Sequence, residues 1–174
     1  MCTVEIECDW EGRHAESCLA LARNLPEGFT DSAIEAMAED LRDQTCYVAL
    51  DCGRDDASVD EKKVVGFVSV DPRGPHVAEL GWFAVEKRRQ GAGIGMSLVD
   101  AVTRDVAGSG VKLLTVKTLA DTVEDENYAR TRRFYENVGF LHVETIDPFP
   151  GWDPGNPCAI YVKPLCSDQD PAPG

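Results

Sequence analysis

The sequence lacks any apolar run that approaches the roughly 20 residues of a membrane span. It also begins MCTVEIECDW, which is acidic where a secretory signal needs a basic start followed by an apolar stretch. Neither pattern of a membrane or exported protein is therefore present. We expect a cytoplasmic protein.

The patterns of a metal site or a disulfide framework are missing as well. The seven cysteines are odd in number and contain no Cys-x-x-Cys pair, and the three histidines are isolated from one another. In a reducing compartment such cysteines are mostly small core residues. We therefore expect no bound metal and no disulfide.

Basic residues are scarce, since 17 Lys and Arg stand against 31 Asp and Glu, for a formal net charge of −14. Such a chain repels nucleic acid and anionic membranes, so neither is an expected partner. Two local basic groups, at 87–89 and at 130–133, run against this trend. They would suit a polyphosphate ligand, or they are solvated surface residues.

One stretch differs in composition from the rest of the chain. Residues 77–85 are apolar apart from Glu79, which predicts a strand covered on both faces of a sheet. Gly91, Gly93 and Gly95 follow, directly before the apolar stripe of a helix. Glycines at a helix N-terminus let unpaired backbone N–H groups approach an anion, so a phosphate is the natural guest; an ordinary capped turn is the alternative. Neither the P-loop nor the dinucleotide fingerprint fits this spacing.

Three segments together resemble the GNAT acyltransferases. Gln90-x-x-Gly93-x-Gly95 matches the motif that holds the pyrophosphate of coenzyme A in that family. Residues 77–80, VAEL, resemble the strand-four segment whose Glu is a general base, and 133–140, RFYENVGF, resemble the segment whose Tyr faces the thioester sulfur. The resemblance covers about 64–165. It implies an α/β GNAT acyltransferase fold, in which a mixed central β-sheet has helices on both faces.

The remaining pattern predicts an element order that suits this fold. Apolar periodicity and turn residues predict strands at 4–8, 45–51, 64–70, 77–85, 111–119, 140–146 and 158–162. Helices are predicted at 11–25, at 94–107 and at 128–137. A further helix is predicted between the first two, where Ser32 and Glu35 have the spacing of a capping box. Length predicts a single domain over 1–166, followed by a loose polar tail at 167–174.

The resemblance implies roles for individual residues. Glu79 would be the base that takes a proton from the acceptor amine, and Tyr135 would donate to the leaving thiolate. A carboxyl group in an apolar strand should have a raised pKa, which suits a base; the alternative is that Glu79 pairs with an arginine or lies at the sheet edge. Tyr135 is otherwise a core tyrosine. The residues implied to bind acetyl-CoA are Phe83, Ala84, Val85, Arg89, Gln90, Gly91, Ala92, Gly93, Ile94, Gly95 and Met96.

Three functional hypotheses follow. The first is an N-acetyltransferase that moves an acetyl group from acetyl-CoA to a small primary amine by direct transfer. The second is a protein N-terminal or lysine acetyltransferase, which needs an open groove, and the third is a coenzyme A-binding sensor without turnover. Phe149 and Trp152 would wall the acceptor pocket or cap the core. A covalent route through Cys158 lacks a histidine partner, and a homodimer is compatible with the family.

Overall fold

The computed structural model describes residues 4–52 and 62–165. The described chain contains strands β1 (Val4–Asp9), β2 (Thr45–Asp51), β3 (Val64–Gly74), β4 (Val77–Val85), β5 (Leu113–Leu119), β6 (Leu141–Ile146) and β7 (Cys158–Pro164). Its α-helices are α1 (Ala15–Arg23), α2 (Asp31–Asp40), α3 (Ile94–Gly108) and α4 (Glu126–Asn137). The predicted order of elements is thereby confirmed, while the predicted tail at 167–174 lies outside the described residues.

The seven strands form one sheet in the order β1-β2-β3-β4-β5-β7-β6. Strand β4 pairs with β5 in parallel, whereas the β1–β2, β2–β3, β5–β7 and β6–β7 pairs are antiparallel. The sheet is therefore mixed, as predicted. Contacts divide the chain into two compact units, the first comprising residues up to 71 with 81–102 and the second comprising 72–80 with residues from 103 onward.

In the first unit, β3 is covered on both faces. Phe67 packs in a core with α1, α2 and β2 that includes the buried thiols of Cys18 and Cys46. The neighbouring residue Gly66 faces α3, because a Cβ built on it would lie 3.0 Å from Ile94 Cγ2. Since successive residues of a strand point to opposite faces, α1 and α2 cover one side of β3 and α3 covers the other.

Side-chain caps place the helix starts differently from the predictions. The capping box predicted at Ser32 and Glu35 is wrong, because Thr30 is the N-cap of α2 and its Oγ1 accepts a hydrogen bond from Ala33 N at 3.2 Å. Helix α1 begins later than predicted, at Ala15, and the turn before it is held by buried Asp9, which accepts hydrogen bonds from the backbone N–H groups of Arg13 and His14. Thr30 and Asp9 lie just outside the apolar periodicity, and that periodicity is the signal that the sequence offers.

In the second unit, β5 lies between residues 77–80 of β4 and β7. Asp125 caps α4 by accepting hydrogen bonds from the backbone N–H groups of Asn127 and Tyr128, so the helix begins two residues earlier than predicted. The strand predicted at 64–70 is also longer than expected, because β3 continues to Gly74. Among the described residues, no helix combines the length and the apolar character that a membrane span requires.

Replacing Gly66 tests how closely α3 is packed. We expect Gly66→Val to lower the free energy of unfolding by about 1 to 3 kcal/mol, because the new side chain would overpack the contact with Ile94. Gly74→Val is the matched control, since a Cβ there has no neighbour within 4 Å. Urea denaturation of both variants measures the difference, and equal stability would contradict the close approach.

Candidate active site

The glycine-rich turn connects β4 to α3 through the short 3₁₀ segment Lys87–Arg89. Gly91 and Gly93 have φ of 81° and 83°, in the left-handed region that residues with a Cβ rarely adopt. The first helical hydrogen bond runs from Ser97 N to Gly93 O at 3.0 Å. The N–H groups of Ile94, Gly95 and Met96 precede that bond, so they are the donors that a helix N-terminus offers to an anion.

Side chains within the turn fix its shape. Gln90 Nε2 donates to Val85 O at 3.1 Å and thereby closes the turn onto the end of β4. Glu86 N donates to Val65 O at 2.8 Å, and Arg89 contacts Asp51 at the end of β2. Val85 and the predicted residues from Arg89 to Met96 therefore lie in one continuous segment, which these contacts hold against β2, β3 and the end of β4.

The basic group at 87–89 is matched by carboxylates within the first unit. Lys87 Nζ lies 2.7 Å from Glu27 Oε1, Arg88 Nη2 lies 3.4 Å from Glu86 Oε1, and Arg89 contacts Asp51. The pairs of Lys87 and Arg88 are exposed, and such pairs contribute little to stability. The backbone donors of the turn are consequently the main feature of this segment that suits a phosphate.

Strand β4 is held to β3 by a side chain at its middle. Trp82 N donates to Ser69 Oγ at 2.8 Å, and a Cβ on Gly81 would lie only 2.7 Å from that oxygen. The indole Nε1 of Trp82 donates to Asp40 Oδ2 at 2.8 Å. Nothing in the sequence pattern marked Ser69 or Asp40. Together they fix the strand segment that leads to Phe83, Ala84 and Val85.

The parallel pairing of β4 with β5 is short. It joins Val77 to Leu113 at one end and Leu80 to Val116 at the other. Strand β4 then continues to Val85. The predicted amide donors at Phe83, Ala84 and Val85 thus belong to the part of β4 that follows this pairing.

Glu79 lies in the second unit with two cations around it. Arg73 Nη2 and Lys117 Nζ each lie 2.9 Å from Glu79 Oε1, and the Glu79 side chain is 14% exposed. The expected apolar surroundings are therefore wrong, and the alternative of a pair with an arginine is observed. Glu79 stands opposite Thr115 on β5, and Lys117 shares the face of Thr115 because it is two residues further along.

Lys117 also contacts the loop between β6 and β7. Its Nζ lies 5.4 Å from the centroid of the Phe149 ring, and that ring meets Trp152 edge to face at a centroid distance of 5.4 Å. Phe149 and Trp152 therefore lie beside the ion pair of Glu79. Neither Lys117 nor Arg73 was predicted; the alternation of β5 was the signal that could have identified Lys117.

Cys158 is buried close to the same charges. Burial raises the pKa of its thiol to about 11, an effect that Lys117 opposes and Glu79 reinforces. The group is consequently a thiol near neutral pH, whereas a nucleophilic cysteine must be a thiolate. Cys158 is therefore unsuited to act as a nucleophile.

Tyr135 lies in an aromatic cluster of the second unit. Its ring centroid is 5.5 Å from that of Phe134 and 5.6 Å from that of Phe140. Burial raises the pKa of the Tyr135 hydroxyl, so the group is protonated and able to donate a hydrogen bond. In the part of the chain that the structure describes, no group of three His, Cys, Asp or Glu could hold a metal ion.

Comparison with known proteins places these features in a family. Residues 42–141, more than half of the chain, match the acetyltransferase (GNAT) domain family. The protein belongs to this family and is an acyltransferase. No curated protein matches the sequence significantly.

Solved structures share the fold. A GNAT-family protein from Desulfovibrio desulfuricans is 22% identical, with a TM-score of 0.76 over 94% of this chain and 100% of that chain. An aminoglycoside 6′-N-acetyltransferase in complex with coenzyme A is 22% identical, with a TM-score of 0.68 over 98% and 99%. A GNAT-family acetyltransferase from Elizabethkingia anophelis with acetyl-CoA bound is 17% identical, with a TM-score of 0.64 over 93% and 98%.

The ion pairs of Glu86 should make stability depend on pH. The Lys63 ammonium, and then Arg88, hold the pKa of the Glu86 carboxyl below its usual value of 4.5. A lowered pKa in the folded state stabilises the protein above the unfolded pKa, and this contribution is lost as the pH falls through the folded pKa.

We therefore expect Glu86→Gln to lower the free energy of unfolding by about 0.5 to 1 kcal/mol at pH 7, because a partly exposed pair contributes little. The difference from the parent protein should shrink below pH 4.5. Urea denaturation between neutral and acid pH measures it. Lys63→Gln should lose the same pH-dependent part of the free energy of unfolding. A loss of stability in Glu86→Gln that does not change with pH would contradict the assignment.

Proposed function

We propose that the protein transfers an acetyl group from acetyl-CoA to the primary amine of a small molecule, directly and within a ternary complex. The observation that carries this proposal is the turn at 90–96, where two left-handed glycines precede a helix whose first N–H groups are available to an anion. The structures with bound coenzyme A and acetyl-CoA share this fold, which supports the choice of ligand.

The described residues suit the parts of acetyl-CoA. Gly91, Ala92, Gly93, Ile94, Gly95 and Met96 would hold the pyrophosphate through backbone N–H groups. Gln90 would keep the turn closed through Val85, and Arg89 would steady it through Asp51. The amides of Phe83, Ala84 and Val85 would meet the pantetheine arm and the acetyl oxygen, where negative charge develops.

Glu79 and Tyr135 would carry the proton chemistry. An alkylamine with a pKa of about 10.4 must lose a proton before it attacks, and Glu79 would accept this proton on Oε2, because both cations occupy Oε1. Tyr135 would donate a hydrogen bond to the leaving sulfur. Its raised pKa favours hydrogen-bond donation over complete proton transfer to a thiolate.

The position of Phe149 and Trp152 favours a small acceptor over a protein substrate. The two rings contact each other and lie next to Lys117, so the surroundings of Glu79 include an aromatic wall. A coenzyme A-binding sensor is the remaining alternative, and it would bind acetyl-CoA without releasing thiol. The single domain over 1–166, the cytoplasmic location and a homodimer stay predictions.

Replacing Gly93 tests the coenzyme A site. We expect Gly93→Val to weaken acetyl-CoA binding about tenfold or more, because a β-branched residue is strained at positive φ and would displace the helical donors. Isothermal titration calorimetry measures the affinity. Gly155→Val is the matched control, since Gly155 has a φ of 89° and also has no neighbour within 4 Å of its Cβ position.

If the parent protein does not bind acetyl-CoA, the proposal is wrong. Equal binding by the Gly93 and Gly155 variants would place the ligand away from the turn.

Replacing Glu79 tests the base. We expect Glu79→Gln to lower kcat about 100-fold or more, because the amide cannot accept the proton. Thiol release with a saturating acceptor measures the rate. Glu144→Gln, on an exposed position of β6, is the control and should keep the parent rate. An unchanged rate in Glu79→Gln would exclude its role as the base.

A further inference from the structure

The sheet of the second unit has one buried face and one exposed face. The ring of Tyr161 lies 6.5 Å from that of Tyr135 on α4, and Leu114 and Val116, which share the face of Tyr161, are 0% and 1% exposed. Leu113 is the neighbour of Leu114 along β5, so it points to the other face, and it is 37% exposed. Helix α4 therefore covers one face of these strands, and apolar side chains remain exposed on the other.

Strand register places Glu79 on this exposed face. Glu79 stands opposite Thr115 on β5, and Thr115 stands opposite Val162 on β7. Leu141 of the edge strand β6 stands opposite Val162 and is 63% exposed. Residues opposite each other point to the same side of a sheet, so these four residues form one row across four strands. With the adjacent row of β4 and β5, the uncovered face comprises Val77, Glu79, Leu113, Thr115, Leu141 and Val162.

Apolar side chains lie around Glu79 on the uncovered face. Val77 is two residues before Glu79 on β4, and Leu113 stands opposite Val77. Strand spacings put the Cα of Leu113 about 8 Å from that of Glu79 and the Cα of Val162 about 10 Å from it. Val77 and Val162 are half-buried, so part of each side chain is open to a ligand. An acceptor whose nitrogen reaches Glu79 therefore meets apolar surface within a few carbon–carbon bonds.

The size of the uncovered face favours a small occupant. Four strands and two rows of side chains span roughly 19 Å by 13 Å, or about 250 Å². Each partner in a stable dimer buries about 800 Å², so this face alone is about a third of what a second copy of the chain would need. A small molecule that reacts at Glu79 can cover the part next to that residue.

We propose that the acceptor is a primary amine joined by a short chain to an apolar group, as in alkylamines and arylalkylamines, and that Leu113 and Val162 bind the apolar group. This inference rests on the proposed function. The ammonium form of the acceptor gives one proton to Glu79, and the carbon–nitrogen bond forms as the carbon–sulfur bond breaks. The second proton released by the nitrogen goes to the sulfur, so that coenzyme A leaves as a thiol.

Alkylamines of increasing length test this inference. Thiol release is measured with ethylamine, butylamine, hexylamine and phenethylamine, and with alanine and an aminoglycoside as polar acceptors. We expect kcat/KM to rise about two- to fourfold for each added CH₂, because each one leaves water for an apolar surface. The amine pKa is nearly the same along the alkyl series, so basicity cannot produce this rise.

Variants then assign the rise to residues. Leu113→Ser and Val162→Ser should each reduce the ratio of kcat/KM for hexylamine to that for ethylamine about threefold or more, because the two acceptors differ only in the apolar chain. A general loss of catalysis would leave that ratio unchanged, and Leu113→Met should keep it. Val143→Ser is the matched control, since Val143 is 59% exposed on β6, three strands from β4. Thermal unfolding verifies that each variant is folded.

The outcomes separate this inference from the proposed function. A series that stays flat or falls with chain length, or a preference for alanine or the aminoglycoside, would overturn the inference, while acetyl-CoA binding and thiol release upheld the proposed function. A dimer that Leu141→Ser separates into monomers in sedimentation would also overturn it, because a second copy would then cover the face. A rise that survives both Leu113→Ser and Val162→Ser would refute the assigned residues. Failure to bind acetyl-CoA would instead remove the proposed function and this inference with it.

Discussion

The parallel pairing of β4 with β5 ends at Leu80 and Val116, and the surroundings of Glu79 depend on this short register. Upstream of that point, the register sets Glu79 opposite Thr115 and puts Lys117 on the same face of the sheet. Downstream, β4 continues to Val85 and then enters the glycine-rich turn. A shift by one residue would move Glu79 to the opposite face, so the register decides whether Glu79 lies beside Lys117.

The glycine-rich turn and the surroundings of Glu79 present different kinds of charge. The turn offers backbone N–H groups of a helix N-terminus, which cannot be neutralised by a change of protonation. Its nearby basic side chains at 87–89 already contact carboxylates. Around Glu79 the charges belong instead to the side chains of Arg73 and Lys117.

Burial fixes the protonation state of two of the candidate groups. It raises the pKa of the Cys158 thiol and of the Tyr135 hydroxyl, so both groups are protonated near neutral pH. Neither is therefore available as an anionic nucleophile.

The sequence by itself determined the element order, the glycine turn and the positions of Glu79 and Tyr135, because these follow from local periodicity, turn residues and contiguous motifs. The cap of α2 by Thr30 was missed, since a cap depends on a side chain outside the periodic stripe. Only the tertiary structure decided the surroundings of Glu79. Arg73 lies at the end of one strand and Lys117 on another, 38 residues from Glu79, and strand pairing joins residues whose separation along the chain carries no local signal.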